Sequence, residues 1–148
     1  TRRLIRLRRE HAVFRRRRWF GQQRLRGGRG AEIAWLKPDG SEMTDEDWQA
    51  GFAKSIGIVL NGSALPEVDA RGEPLVDDTF CLLLNAHHEP LTFTLPPAEW
   101  CAEWQLVLDT SRPDTGSGGD ETPSVACGGQ IVVEPRCLLL LRCLAPDA

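Results

Sequence analysis

The spacing of hydrophobic residues changes near residue 30, from a helical period to an alternating one. In residues 2–14 one half of a helical wheel is apolar and the other half is rich in arginine, which predicts an amphipathic helix. The glycine cluster Gly27-Gly28-Arg29-Gly30 then interrupts the pattern and predicts a boundary. The chain is therefore divided into residues 1–26, a helix with its linker, and residues 27–148. The apolar half of the wheel consists of Leu4, Ile5, Leu7, His11, Ala12 and Phe14.

Short runs of strand type follow the boundary. Residues 91–95 alternate apolar and polar side chains, whereas the leucines at 82–84 and 138–141 are continuous and indicate strands covered on both faces. The Gly- and Pro-rich residues 111–124 predict a polar loop. Together these patterns predict a mostly-β fold, an antiparallel β-sandwich of about seven strands preceded by one amphipathic helix. The predicted strands cover 31–36, 54–60, 79–85, 91–95, 104–109, 130–134 and 137–143.

Turn signals separate the predicted strands. Pro38-Asp39-Gly40 predicts a turn after the first strand, and Asn61-Gly62 predicts a tight turn after the second. Residues 44–47 (TDED) can cap a single helical turn that carries Trp48. Residues 85–90 join the third and fourth strands, and we expect the two histidines in this segment to lie at a hairpin tip.

Charge is divided unevenly along the chain. Residues 1–30 contain twelve arginines and one acid, a net charge of +11, whereas residues 31–148 carry a net charge of −14, giving −3 in all. We therefore expect the basic arm to dock on the acidic body, its own or a neighbour's. An arginine-rich arm can also bind nucleic acid, but only Trp19-Phe20 supplies aromatic side chains there and the body is acidic. These features argue against a nucleic-acid partner.

Cysteine spacing gives no sign of a metal site or of a disulfide framework. The five cysteines form no C-x-x-C pair, and their odd number predicts free thiols that carry no metal, in a reducing compartment. No apolar run reaches the roughly 18 residues of a membrane span, and no signal peptide is recognised. These observations predict a cytoplasmic location without a membrane partner. The cysteines are Cys81, Cys101, Cys127, Cys137 and Cys143.

Candidate catalytic groups are few. Asp77-Asp78 and residues 45–47 are adjacent acids in predicted turns, where capping is a better explanation than the opposed carboxylates of a glycosidase. His87 and His88 could serve a metal or a nucleophile only beside a cysteine, and a solvated loop explains them as well. We therefore assign no catalytic residue, no metal ligand and no cofactor, and leave the substrate-binding residues open.

Five tryptophans raise the possibility of carbohydrate binding, because sugar rings stack on exposed indoles. Trp35, Trp100 and Trp104 lie in or beside predicted strands and are expected in the core, while Trp19 belongs to the arginine-rich junction. Trp48 is the best candidate for an exposed indole. An autonomous carbohydrate-binding module is therefore the alternative function, favoured if Trp48 and a second indole are exposed on one face.

Three stretches carry a family resemblance: EIAWLKPDGSEMTDEDWQAGFAKSIGIVLNG, RGEPLVDDTFCLLLNAHHEPLTFTLP and VVEPRCLLLLR. Together they make residues 32–144 resemble the C-terminal domain of bacterial glycogen-debranching enzymes of the isoamylase type, in the α-amylase superfamily. The upstream stretch LIRLRREHAVFRRRRWF resembles the last helix of the family's catalytic barrel. On this resemblance, residues 1–26 are the remnant of that helix with its linker, and residues 27–148 are a C-terminal β-sandwich domain.

The resemblance implies a non-catalytic role for this chain. The family's parent enzyme hydrolyses α-1,6 branch linkages in glycogen limit dextrin, and its catalytic carboxylates lie on barrel strands before Thr1. None of those carboxylates can be carried over to a residue of this sequence. We therefore expect the catalytic barrel as a partner in the same polypeptide, glycogen as a partner through the parent enzyme, and no hydrolase activity from this chain alone.

Overall fold

The N-terminal helix is shorter than its hydrophobic period predicts. In a computed structural model, which describes residues 1–17, 31–51, 53–112 and 123–143, helix α1 spans Arg2–Glu10 and a 3-10 turn spans Ala12–Phe14. His11 between them is extended, with φ −107° and ψ 119°. The backbone N–H of Val13 donates to the side chain of Asp77 instead of to a helical carbonyl. The predicted helix over 2–14 is therefore wrong beyond residue 10, because a tertiary hydrogen bond competes with the helical one.

In the part of the chain that the structure describes, eight antiparallel strands form two sheets. A six-stranded sheet has the order β1-β2-β3-β8-β5-β6, and strands β4 and β7 pair with each other in a second, smaller sheet. This arrangement confirms the prediction of a mostly-β sandwich behind one N-terminal helix. A short helix, α2, lies between the first two strands. The bounds are β1 Ile33–Leu36, α2 Asp45–Gln49, β2 Ser55–Leu60, β3 Thr79–Asn85, β4 Leu91–Thr94, β5 Glu103–Asp109, β6 Ser124–Ala126, β7 Gln130–Val133 and β8 Cys137–Cys143.

Strand β6 is the element that the sequence pattern missed. The predicted loop over 111–124 overlaps its first residue, and residues 113–122 lie outside the described part of the chain. The strand has three residues, of which only Val125 is a large apolar side chain, so it shows no alternation. Its pairing with β5, which sets Val125 opposite Trp104, is therefore visible only in the folded chain.

The inner face of the six-stranded sheet packs against the two-stranded sheet and forms the main core. Val59, Leu83 and Leu141 on this face are no more than 1% exposed, and Phe93 and Val133 cover them from the opposite sheet at 0%. Alternation along β3 and β8 brings every second residue to this side. The inner-face residues of the large sheet include Ala34, Leu36, Val59, Cys81, Leu83, Trp104, Leu139 and Leu141.

The outer face of the same sheet is also apolar, but a much smaller cover lies on it. Phe80 and Leu140 are buried there in a second core, which Val13 and Leu65 complete. Central strands β3 and β8 thus carry apolar residues on both sides, as the continuous leucine runs predict. By strand register, the outer face comprises Trp35, Ile56, Ile58, Leu60, Phe80, Leu82, Leu84, Leu138 and Leu140.

The connection from β3 to β4 crosses from one sheet to the other. Asn85, which is 2% exposed, donates from Nδ2 to the carbonyl oxygens of Glu89 and Val133 at 2.9 and 3.0 Å. These bonds fix the crossover at the end of the sandwich. The predicted hairpin over residues 85–90 is therefore wrong, because β4 pairs with β7 rather than with β3.

Candidate functional site

A buried polar junction fastens the N-terminal segment to the sandwich. The imidazole Nδ1 of His11 hydrogen-bonds to Oδ1 of Asp77 at 2.8 Å, and the backbone N–H of Val13 donates to Oδ2 at 3.0 Å. Beside it, Arg142 on β8 donates from Nε to Oδ2 of Asp78 at 2.6 Å. The rings of His11 and Phe80 meet edge to face at 4.8 Å, so the junction joins directly to the outer core.

The position of the two aspartates depends on a close backbone approach. A Cβ atom at Gly62 would lie 2.1 Å from the carbonyl oxygen of Asp77 and 2.2 Å from that of Asp78. Only glycine fits there, which gives the predicted Asn61-Gly62 turn a packing role. Asp77 accepts the backbone N–H of Asp78 locally, as expected of a turn, but both carboxylates also bind groups from distant parts of the chain, which turn capping did not predict.

The junction also has the composition of a metal site. Ligand atoms of His11, Asp77 and Asp78 all lie within 4.8 Å of one another. However, both oxygens of Asp77 already accept hydrogen bonds, and Oδ2 of Asp78 accepts from Arg142. This arrangement serves as a structural hydrogen-bond network, since buried charges that are paired need no ion to compensate them.

The basic arm docks on the acidic body within the described residues. Arg16 forms an ion pair with Glu32, and the backbone N–H of Arg17 donates to the carboxylate of Glu67 at 3.2 Å. The predicted docking of the arm is thus confirmed for residues 11–17. Helix α1 behaves differently, because none of its residues is buried, and Leu4 and Ile5 are 52% and 53% exposed.

Two exposed indoles contact each other at the edge of the outer face. The ring centroids of Trp35 on β1 and Trp48 on α2 lie 5.3 Å apart, with an angle of 78° between the planes. Their exposed fractions are 37% and 49%. The expectation that Trp48 is exposed is confirmed, whereas the core position expected of Trp35 is wrong. The error arises because Trp35 lies on an edge strand and points to the outer face, opposite Ala34 and Leu36.

Helix α2 holds Trp48 on a rigid support. The N–H and the hydroxyl of Thr44 both donate to Asp47 at 2.8 Å, and the Thr44 hydroxyl accepts the N–H of Asp47, which completes a capping box. Lys37 lies 3.4 Å from the same carboxylate. The Thr44 hydrogen bonds, aided by Lys37, hold the pKa of Asp47 below its usual value. The predicted cap over residues 44–47 is confirmed.

The remaining tryptophans and histidines occupy separate places. Trp104 is fully buried and Trp100 packs half-buried against the main core, as expected, while Trp19 lies outside the described residues. His87 and His88 stack with centroids 4.2 Å apart on the β3–β4 crossover. With Glu89 they form the other group of three possible metal ligands among the described residues, and neither group contains a cysteine.

Two of the cysteines form a disulfide. Cys101 and Cys143 are bonded, with their Cα atoms 5.9 Å apart. The prediction of five free thiols is therefore wrong for this pair, although Cys81, Cys127 and Cys137 are free. Motif spacing gave no sign of the bond because it joins residues 42 positions apart, one just before β5 and one at the end of β8, and these strands are neighbours only in the folded sheet.

Comparison with known proteins places the chain in a family. The family described as "Isoamylase, C-terminal" matches residues 32–141. The "Glycogen operon protein GlgX homolog" of Mycobacterium tuberculosis and that of Mycobacterium bovis are each 43% identical to the chain over 137 residues, which cover 92% of the chain and 18% of the relative. The "Isoamylase" of Pseudomonas amyloderamosa is 24% identical over 144 residues, which cover 94% of the chain and 16% of that protein.

The chain thus spans less than a fifth of the length of these curated relatives. No helix among the described residues is long and apolar enough to cross a membrane. The family match extends from the residue before β1 nearly to the end of β8, so it covers the whole sandwich. The chain belongs to the isoamylase C-terminal domain family.

Proposed function

We propose that this chain is the non-catalytic C-terminal accessory domain of a glycogen-debranching enzyme, which docks on the preceding catalytic part through its outer face. One observation carries the docking proposal. The outer face is apolar across four strands, yet within the described residues its cover consists of the N-terminal segment, the segment around Leu65 and Leu75, and Trp48 at the Trp35 edge. Ile58, Leu82 and Leu84 remain half-buried there.

Helix α1 also supports docking through the outer face. It leads into the junction on the outer face while Leu4 and Ile5 stay exposed. Burying each of these side chains would contribute about 1.5–3 kcal/mol. An isolated helix of nine residues is also marginal in water, so a partner surface would stabilise it. A catalytic part that covers both α1 and the centre of the outer face would bury the exposed side chains and stabilise the helix.

The activity of the parent enzyme is part of the proposal. The relatives' names refer to a glycogen operon and to isoamylase, which supports hydrolysis of α-1,6 branch linkages in glycogen and glycogen as the partner of the whole protein. A cytoplasmic location stays a proposal, and the bond between Cys101 and Cys143 removes the support that five free thiols would give it. No nucleic-acid or membrane partner and no cofactor is proposed. The division of the chain near residue 26 also stays a proposal, since residues 18–30 lie outside the described part.

Exchanging the domain in a relative tests the docking proposal. The C-terminal part of the Mycobacterium tuberculosis relative would be replaced by this chain, either unchanged or with Ile58→Glu or Val132→Glu. Val132 is 53% exposed on the second sheet and serves as the matched control. We expect the unchanged chimaera to release short glucans from limit dextrin.

Ile58→Glu should lower the thermal midpoint of the chimaera by several degrees more than Val132→Glu does, because a charge would then be buried in the interface. In the separate 148-residue chain Ile58→Glu should also cost more than Val132→Glu, because Ile58 is half-buried, but by a smaller margin than in the chimaera. An equal margin in the chimaera and in the separate chain would show that the outer face is not the docking surface.

A carbohydrate-binding module is the second candidate function, and one observation favours it. Trp48 and a second indole, Trp35, are exposed together on one face. The two functions are compatible, because the indole pair lies at the edge of the sheet and the proposed docking surface extends from its centre.

A further inference from the structure

We propose that Trp35 and Trp48 form a contact site for linear α-1,4-linked glucan, such as the outer chains of glycogen, on the surface of this domain. The inference rests on the proposed function for the identity of the glucan. Its structural basis is the meeting of two exposed indoles, at 37% and 49%, on one patch of the molecule. Tryptophan is highly buried on average, so two exposed rings in contact mark a candidate interaction surface.

The angle between the rings suits a chain of sugars better than a flat ligand. Glucose rings present C–H groups on their faces, and these groups pack on the electron-rich face of an indole. Successive units of an α-1,4-linked chain are turned relative to one another. Trp35 and Trp48 meet edge to face at 78°, so one unit can stack on the free face of the indole that presents its edge while the next contacts the rim of the other.

Polar groups beside the rings match a neutral, hydroxyl-rich ligand. Asp45 precedes Trp48 by three positions on α2, which places both on the same side of the helix, and Gln49 follows directly. Both side chains are exposed. Carboxylate and amide oxygens accept hydrogen bonds from sugar hydroxyls. Three acids in the first turn of α2 make the patch negative, which disfavours nucleic acid and other polyanions.

The patch is held in place before any ligand arrives. The capping box fixes the start of α2, and the N–H of Met43 donates to the carbonyl of Trp35 at 2.8 Å, which joins the approach to α2 directly to β1. Little conformational entropy would therefore be lost on binding, and a pre-organised site gains affinity for this reason.

The indole pair also lies away from the place where the N-terminal segment docks. That segment packs over Phe80 on β3 and Leu140 on β8, whereas Trp35 is on the edge strand β1. Three strand spacings separate β1 from β8, a distance of about 14 Å. The proposed docking surface would end at Ile58, which lies opposite Trp35 in the β1–β2 pairing, and would leave the indole pair accessible beyond it.

Binding measurements on the 148-residue chain test the proposal. Calorimetric titration with maltoheptaose and co-sedimentation with glycogen would compare the unchanged chain with Trp35→Ala, Trp48→Ala and Trp48→Phe, and Val132→Ala serves as an exposed control. Each alanine variant should weaken binding about tenfold. Trp48→Phe should recover part of the loss, since it keeps an aromatic face, and Val132→Ala should bind like the unchanged chain.

Chemical unfolding identifies any variant that does not fold, because only a folded variant shows a cooperative unfolding transition. Unchanged affinity in both folded alanine variants, or no binding by the unchanged chain, would overturn the proposal.

The chimaera provides an independent measurement. There, Trp35→Ala and Trp48→Ala should raise KM for glycogen more than KM for a short branched oligosaccharide. If they instead lower the thermal midpoint as Ile58→Glu does, and glucan binding is unaffected, the pair belongs to the docking surface. In that case the glucan site is refuted and the proposed function stands. Conversely, glucan binding that depends on the indoles supports the site even if the chimaera refutes the docking face.

Discussion

The two faces of the six-stranded sheet are similar in sequence but differ in how completely they are covered. On the inner face Val59, Leu83 and Leu141 are at most 1% exposed, because the second sheet lies over them. On the outer face Ile58 and Leu82 remain half-buried, although they are equally apolar. Alternation along a strand therefore tells which residues share a face, whereas the cover of that face depends on other parts of the protein. An apolar face with an incomplete cover is typical of a docking surface.

The largest expected difference between the faces concerns side-chain truncation. Phe93→Ala should lower the free energy of unfolding by about 3–5 kcal/mol. Phe93 fills the space between the two sheets, and truncating its side chain leaves a cavity there. Ile58→Ala on the outer face should lower the free energy of unfolding by only about 1 kcal/mol in the separate chain, since a half-buried side chain removes less apolar area from water. Urea unfolding followed by tryptophan fluorescence measures both. Equal losses of unfolding free energy in Phe93→Ala and Ile58→Ala would show that the outer face is as well covered as the inner one.

Removing the disulfide tests how far the inner face depends on a covalent link. Cys101 and Cys143 both contribute to the main core, and their bond closes a loop with a sequence separation of 42. Reduction, or the double substitution to serine, should lower the free energy of unfolding by about 2–4 kcal/mol. Unfolding in the presence and absence of a reducing agent measures this difference. The Cys127→Ser variant is the control, because that thiol is free.

The carboxylate of Asp77 anchors the N-terminal part of the outer-face cover. Asp77→Ala should destabilise the chain by about 1–3 kcal/mol, because the N–H of Val13 and the imidazole of His11 lose their partner in a buried place. Hydrogen exchange should then increase at residues 12–14 before it does in the strands. Glu67→Ala is the matched control, since Glu67 also accepts a backbone N–H from the arm, but at an exposed position. If Glu67→Ala lowered the free energy of unfolding as much as Asp77→Ala does, the buried junction would have no special role.

The smallest effect concerns reactivity rather than stability. Burial raises the pKa of the Cys81 thiol to about 12, so this inner-face residue stays protonated at pH 8, and only a thiolate reacts quickly with alkylating agents. Iodoacetamide should therefore label the half-buried Cys127 and Cys137 first, and Cys81 only as the chain unfolds. Mass spectrometry of timed digests follows each site. Early labelling of Cys81 would show that the inner face opens locally.

Sequence analysis predicted local features better than pairings between distant segments. The cap at Thr44 and the double-sided leucine strands followed from neighbouring residues, and both are present. The bond of Cys101 to Cys143 and the exposure of Trp35 depend on which strands are neighbours and which one lies at an edge. For the same reason His11 was expected on a continuous helix, while its contact with a residue 66 positions away ends that helix.

Adjacent aspartates connect the beginning and the end of the described chain. Asp77 holds His11 near one end, and Asp78 holds Arg142 near the other. A pulling force applied between residues 11 and 142 would load the contact of Asp77 with His11 directly, whereas the contact of Asp78 with Arg142 is backed by the pairing of β3 with β8. The proposed catalytic part, if it moves relative to the sandwich, would exert its force at this point. The junction would thus act as the first mechanical resistance of the domain, and optical-tweezer traces should show an early, short extension that Asp77→Ala removes.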